Sequence, residues 1–324
     1  MESALCGVKL WSTYNNYGIT LEIFVDPSSR DLIDFLLVLE YVLIRAISSP
    51  PFRNYRVWLS LANTKYGGTT LFIKKTYFNQ RRCPFLMNIQ KVCDSKNESD
   101  GQVILAKFDY FCFLNAYVPN GWKDDDSSFK RRRKWDKRKL EFVCHSSDKP
   151  LIWCRDQNVS HQDIDVSHPE FFSSAKLNGY VLPNKEEDCG QPGFTIAERQ
   201  RFSTILSEGK LLDAYRFLHK EQDLEGGFSW SGNPVDKYKG KRMRIDYFLV
   251  SEKPEDKLVA CEIYGKGIEI EGFNGSNDCL VSLELSLSMR PMGFKYMHKY
   301  KFLLGLWHLK PVEKNMPCWM ARRR

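Results

Sequence analysis

Residues 150–165 read PLIWCRDQNVSHQDID. The short apolar run Leu151–Cys154 reads as a buried strand, and it gives way at once to Arg155, Asp156 and, two positions on, Asn158. In an α/β fold, strand ends and the loops after them are where polar side chains converge without disrupting the core. The stretch therefore predicts both a fold class and the place of a site. Side chains at i and i+2 of an extended segment point the same way, so Asp156 and Asn158 are expected to face one target. A carboxylate beside a carboxamide suits a hard divalent cation, and equally a water that must be deprotonated and aimed.

The pattern continues on both sides. TTLFIKK (69–75), QVILAKF (102–108) and YFCFLNAYV (110–118) read as strands, the last two joined tightly enough for a hairpin around Asp109. Residues 128–143, SFKRRRKWDKRKLEFV, carry Phe129, Leu140 and Val143 at helical spacing amid dense positive charge. A further helix opens at TIAERQRF, where Thr195 and Glu198 form a capping box that satisfies free backbone N–H groups at the helix start. MRIDYFLV (243–250) and CLVSLELSL (279–287) are the remaining clear strands. Hairpins mixed with helices predict an α/β fold, a four-layer α/β sandwich of two packed mixed sheets flanked by helices. Residues 1–54 do not join the pattern, so the sandwich is expected to be incomplete on its N-terminal side. Nor does the tail from Met289, where YKFLLGLWHL reads as a short helix. The expected organisation is a divergent segment 1–54, a domain over 55–288 and a tail over 289–324.

Composition narrows the class. The 324 residues are 43% hydrophobic, which suits a soluble globular protein. The net charge of +8 fits a polyanionic partner, or a merely solvated basic surface. Ten cysteines are scattered without a C-x-x-C pair, which excludes the common zinc patterns and a compact disulfide framework. Reduced thiols in the nucleus or cytosol are the better reading. MESALCGVKLW has no secretory signal. LIDFLLVLEYVLI (32–44) is interrupted by Asp34 and Glu40 and falls short of the ~20 apolar residues a membrane span needs. It reads as a core helix, and no membrane partner is expected. The glycosylation sequons at Asn97, Asn158 and Asn274 are chance matches unless the protein is secreted.

Four strand ends carry polar groups: Tyr117 with Asn120, Asp156 with Asn158, Asp246, and Asn277 with Asp278. Taken singly each is weak, because an Asp ending a strand is more often a turn residue. Asp246 is stronger, since an ionised group inside an apolar strand needs a partner. The segments AYVPNG, DQNVSHQDID, GFTIAERQRF, RMRIDYFLV and GSNDCLVSLEL occur in an order and spacing that resemble the exonuclease III family of apurinic/apyrimidinic DNA endonucleases. The resemblance is to its plant-type branch in particular, within the endonuclease/exonuclease/phosphatase superfamily, and covers roughly residues 50 to 288.

What the resemblance implies is a magnesium-dependent DNA nuclease, with manganese as a substitute, that hydrolyses the phosphodiester 5′ to a lost base in base-excision repair. It implies a nuclear monomer, the cytoplasm being the alternative, whose partner is DNA with abasic sites. Asp156 would orient or deprotonate the attacking water, and Asn158 would hold that water and the phosphate. Tyr117 would hydrogen-bond the phosphate or the leaving oxygen, and Asp246 would buttress Asp278. The metal-site positions would be Asp156, Asn158, Asn277 and Asp278. Tyr66 in KYGG and Asn120 would contact DNA, while Trp230, Met243 and Ile245 would line the pocket for the flipped-out sugar. Such a pocket selects an abasic nucleotide because an intact base cannot enter.

The departures from the family fall on catalytic positions. The family begins with a strand ending in a metal-associated Asn, and a later strand ends in Gln-Glu; residues 1–54 show neither, and Glu40 in LLVLEYVLI lacks the glutamine. VDPSSRDLIDF followed by RAISSPPF reads as a join across a missing segment. The family's Gly-Asp-Leu-Asn is Arg155-Asp156-Gln157-Asn158, and an arginine obstructs the close backbone approach a glycine admits. The family's Ser-Asp-His is Ser276-Asn277-Asp278, so a carboxylate becomes an amide and an imidazole becomes a carboxylate. Losing one well-placed stabiliser commonly costs ~10²–10³ in rate. The expectation is an endonuclease with weak or lost activity. The alternatives are a fully active enzyme with compensating residues, a non-catalytic nucleic-acid-binding relic, and a superfamily phosphodiesterase acting on lipid or inositol phosphates. GFTIAERQRF and Trp230 favour DNA over lipid. The run Lys130, Arg131, Arg132, Arg133 and Lys134 is expected to face the DNA backbone, with a solvated face as the alternative.

Overall fold

A computed structural model describes residues 19–23, 55–60, 68–74, 86–90, 103–108, 111–119, 121, 126–145, 149–174, 189–219, 227–232, 237–251, 258–264, 278–279, 281–289 and 296–305. The fold is mixed α/β. In chain order the strands are β1 (Ile19–Ile23), β2 (Tyr55–Ser60), β3 (Gly68–Lys74), β4 (Leu86–Gln90), β5 (Val103–Phe108), β6 (Cys112–Ala116) and β7 (Leu151–Asp156). They continue as β8 (Leu211–Asp213), β9 (Trp230–Ser231), β10 (Arg242–Met243), β11 (Asp246–Ser251), β12 (Leu258–Ile263), β13 (Val281–Met289) and β14 (Tyr296–Gly305). The helices are α1 (Asp126–His145), α2 (Pro169–Ser173), α3 (Ile196–Glu208) and α4 (Ala214–His219).

One six-stranded sheet runs β4–β5–β6–β7–β11–β8 and a second runs β12–β13–β14–β1–β3–β2; β9 and β10 form a separate ribbon. In the first sheet only β6 and β7 are parallel. A parallel pair needs a crossover, and α1 supplies it. The register Asn115↔Cys154 brings the ends of β6 and β7 together, and the Val118 N–H donates to the Asp156 carbonyl at 3.0 Å.

β7 is buried along its whole length because both of its faces are covered. Ile152 and Cys154 join Ile104, Phe113 and Phe248 in a core shared with Leu71, Cys261, Val281 and Leu283 of the second sheet. Leu151 and Trp153 face the other way, into a layer made with Trp135 and Val143 of α1 and Phe202 and Ile205 of α3. Among the described residues this is a helix layer on two packed sheets. The four expected layers are not all represented among the described residues, and residues 32–44, expected to form a helix, lie outside them. No helix among the described residues is long and apolar enough to cross a membrane.

Two segments read as lying outside the domain each contribute a strand. β1, within 1–54, pairs with β3 and with β14. The part of YKFLLGLWHL that is described, through Gly305, is not a helix: β14 pairs with β13 from Val281↔Leu304 to Met289↔Tyr296. A short apolar run is ambiguous by periodicity alone, and here the available neighbour decides it.

Candidate functional site

The site is assembled where β6 and β7 end beside the start of β11. Asp246 opens β11 and is the register partner of Asp156 at the end of β7. Trp230 bridges to Asp278, and the Cys279 N–H donates to the Ser229 carbonyl at 2.8 Å, which draws Asp278 to the same edge. The Ser229 hydroxyl oxygen accepts the N–H groups of Ile245 (3.1 Å) and Asp246 (3.0 Å). All three carboxylates are buried. Burial, and next the charge of Asp278, push the Asp156 carboxyl up to about 8. Burial holds Asp246 well above the usual carboxylate range, and Asp156 and then Asp278 add to it. Asp246 thus begins its strand rather than lying inside it, and its foremost carboxylate neighbour is Asp156, with Asp278 second.

Asp156 and Asn158 are not brought together by an extended segment. β7 stops at Asp156, and Asn158 has φ 45°, a left-handed conformation that asparagine tolerates better than most residues. Asp156 Oδ1 accepts the Asn158 N–H at 2.6 Å, and Asn158 Nδ2 donates to the Val118 carbonyl at 2.7 Å. A side-chain-closed turn therefore replaces the expected i, i+2 alignment. Gly193, at φ 81°, lets a neighbouring loop pass: a Cβ there would lie 3.1 Å from the Asn158 carbonyl oxygen.

Tyr117 is half-buried one residue beyond β6. Burial raises its phenol above the ordinary range and Asp156 raises it further, while a hydrogen bond with Asn158 acts the other way. Tyr117 therefore stays protonated, able to donate. The Arg155 guanidinium stacks 4.8 Å from the Tyr117 ring centroid. Arg155 is buried at φ 118°, where a glycine would sit without strain. Burial drives its pKa well below the ordinary value, and Asp156 and Asp246 oppose that fall.

Arg132, expected with its neighbours in the basic run to face the DNA backbone or solvent, is instead buried. Its Nη1 donates to the carbonyls of Pro119 (3.2 Å) and Asn158 (2.9 Å), its Nη2 to that of Gln157 (2.9 Å), and its Nε to Asp136 (2.9 Å). Lys130, Arg131, Lys134 and Lys137 do face solvent. Sequence reasoning missed Arg132, Gly193 and Ser229. For Arg132 a signal existed: Phe129, Arg132, Asp136, Lys139 and Val143 recur at helical spacing, with Arg132 and Asp136 an i, i+4 pair.

Behind the turn, DQNVSHQDID and RMRID are locked by a buried ion cluster. Arg244 Nε donates to Asp165 (2.9 Å) and its Nη2 to Asp213 (2.7 Å), while Arg216 Nη2 reaches Asp165 at 2.7 Å. Beside it, Met243 and Ile245 are buried with Phe172, Phe194 and Tyr238, and the partly buried Trp230 packs against them. Trp230 meets Tyr238 edge-on at 5.7 Å. The structure thus gathers Tyr117, Asp156, Asn158, Asp246 and Asp278 at one edge and Trp230, Met243 and Ile245 in one cluster. Tyr66, Asn120 and Asn277 lie outside the described residues.

The donor set has hard carboxylate and amide oxygens, the chemistry a small divalent cation prefers. Neither Asp246 oxygen has a hydrogen bond of good geometry among the described residues, although Ser229 stands beside it. Yet no group of three or more His, Cys, Asp or Glu among the described residues is gathered closely enough to hold a metal ion. The described residues alone do not complete a metal site.

The sequence pattern of the Endonuclease/Exonuclease/phosphatase family matches residues 19–263. The DNA-(apurinic or apyrimidinic site) endonuclease of Arabidopsis thaliana is 64% identical over 246 residues, 76% of this chain and 66% of its own length. The protein of that name from Plasmodium falciparum is 33% identical over 266 residues, 76% of this chain and 42% of its own length. The chain thus spans just under two thirds of the one relative and under half of the other. The solved structure of an AP endonuclease from Archaeoglobus fulgidus superposes with a TM-score of 0.53 at 19% identity, covering 81% of this chain and 95% of that one. That likeness bears on the fold.

Proposed function

Because the chain belongs to the endonuclease/exonuclease/phosphatase family, we propose that it is an apurinic/apyrimidinic DNA endonuclease that cuts 5′ to a lost base, and cuts slowly. The observation that carries this reading is the convergence of Tyr117, Asp156 and Asn158 at adjoining strand ends, beside the aromatic cluster around Trp230. The likeness to the Arabidopsis protein supports the choice of an abasic DNA substrate over a lipid phosphate.

In this reading Asp156 takes the proton of the attacking water. A carboxyl titrating at about 8 is a stronger base than a free one, but is only partly ionised at neutral pH. Asn158 holds the phosphate, and the protonated Tyr117 donates to a phosphate or leaving oxygen. Trp230, with Met243 and Ile245 beneath it, receives the sugar. Slowness follows from Asp278, which cannot donate to a phosphate while ionised, and from Asn277 in place of a carboxylate. Magnesium, or manganese, is the proposed cofactor, with oxygen donors from Asp156, Asn158, Asn277 and Asp278. We further infer a four-layer sandwich whose single domain takes in β1 and β14, a monomer, and a nuclear location.

The test is incision of an abasic duplex by purified protein, with magnesium and with chelator. Slow, chelator-sensitive cutting 5′ to the lesion is expected. Turnover at ordinary rates of ~1–10³ s⁻¹ would overturn the slowness. Tight binding without any cutting would favour the second reading, a non-catalytic nucleic-acid-binding protein, which Arg155 beside Asp156 supports.

A further inference from the structure

Two loops carry the candidate chemistry: the one after β6, with Tyr117, and the one after β7, with Asp156 and Asn158. Beyond Asn115↔Cys154 they are joined directly through Val118, whose N–H donates to the Asp156 carbonyl and whose carbonyl accepts from Asn158 Nδ2. Between them stands Arg132, reaching in from α1. Its Nη1 bridges the Pro119 carbonyl of one loop and the Asn158 carbonyl of the other, and Nη2 takes the adjoining Gln157 carbonyl. A buried carbonyl needs a donor, and one planar guanidinium satisfies all three here.

The arginine is itself anchored. Asp136 accepts from its Nε, and Asp136 also accepts from Arg201 Nε of α3 at 2.8 Å. Glu198, whose other oxygen closes the capping box of α3, lies 3.9 Å from Nη1. The carboxylates of Asp136 and Glu198 keep the guanidinium charged against its burial. A chain of contacts therefore runs from α3 through α1 to both loops.

The geometry points to Arg132 as a positioning residue that sets the spacing between Tyr117 and the Asp156–Asn158 turn. It touches no substrate; it acts through the backbone of Pro119, Gln157 and Asn158. Its part in catalysis rests on the proposed endonuclease function, whereas its hold on the two loops does not. Lysine in its place keeps a positive charge beside Asp136 but has no planar fork, so it cannot bridge all three carbonyls.

The test compares wild type with Arg132→Lys by amide hydrogen exchange on the DNA-free protein. The thermal midpoint should fall, since carbonyls that lysine cannot reach lose their donor. The amides of Val118, Gln157, Asn158 and Ser160 should exchange roughly tenfold faster or more, the ratio expected for one lost hydrogen bond. Those of Ile152 and Leu249 in the sheet should not change. Unchanged exchange at the four amides, or equal acceleration throughout the sheet, would overturn the assignment. If Arg132→Lys does not fold, Asp136→Asn releases the same anchor and should speed the same four amides selectively; no selective change there also overturns it. On an abasic duplex, Arg132→Lys should lower kcat with little change in Kd. A wild type that does not cut counts against the endonuclease reading alone, and the exchange result still decides the role of Arg132.

Discussion

Asp246 stands directly across the β7–β11 ladder from Asp156, so two carboxylates meet as cross-strand neighbours in a buried layer. Like charges placed so are destabilising when both ionise, and a third carboxylate, Asp278, adds to the field. The arrangement makes stability depend on pH.

In the unfolded chain an aspartate titrates near ~3.9. In the folded protein Asp156 titrates at about 8 and Asp246 is shifted the same way. Within that window the folded state holds more protons than the unfolded one. Stability fully present below the unfolded value is therefore lost as pH climbs through the folded one. The thermal midpoint should fall from about pH 5 to about pH 8, and Asp246→Asn should flatten the fall. Asp278→His should flatten it too without restoring fast incision, because Asn277 remains. A wild-type midpoint that is level across the window would show that these carboxylates do not share a field.

Arg155→Gly sets two effects against each other. Glycine relieves a backbone held at φ 118°, worth about 1–3 kcal/mol. It also removes a buried guanidinium from beside Asp156 and Asp246, a loss of about 3–5 kcal/mol when the charges are ionised. Net destabilisation of roughly 2 kcal/mol, the difference between the two central values, is expected near pH 8, shrinking toward pH 5 as the carboxyls protonate. Denaturant unfolding at the two pH values measures it. An equal effect at both would mean the arginine does not serve the carboxylates.

Binding to DNA should weaken steeply with salt, through the exposed Lys130, Arg131, Lys134 and Lys137 of α1. Every phosphate that such a side chain neutralises adds ~0.9 to the steepness of log K against log salt. Glutamine at these positions should reduce the slope by about 3 if most of them reach phosphates. A slope that does not move would make this face a solvated surface. Arg132 belongs in no such series, since its removal disturbs the site itself.

Thr195 accepts the Glu198 N–H, and Glu198 in turn accepts from the Thr195 and Gly193 N–H groups. Thr195→Ala should cost about 1 kcal/mol, at most about 2. Chemical denaturation reads this directly. No loss of stability would mean that Glu198 holds the start of α3 unaided.

Local pattern in the sequence was enough for β7, for the β5–β6 hairpin, and for the start of α3 at Thr195. In each case the deciding residues lie within a few positions of one another, where periodicity and capping chemistry act. The motif resemblance singled out Asp156, Asn158 and Asp246 by residue identity alone, and the structure places Asp156 and Asp246 opposite each other with Asn158 on the adjoining turn. Tertiary structure alone decided the rest. Asn158 turns away from the strand because Val118, Gly193 and Arg132 surround it. β14 is a strand because β13 offers a ladder along its length. Arg132 points inward, unlike Lys130, Arg131 and Lys134 around it, because unpaired carbonyls wait on that side of α1 and solvent waits on the other. Asp156 and Asp246 lie some ninety positions apart in the chain. Their encounter depends on ladder register, which is set by burial of whole strand faces and not by either residue's neighbours in sequence.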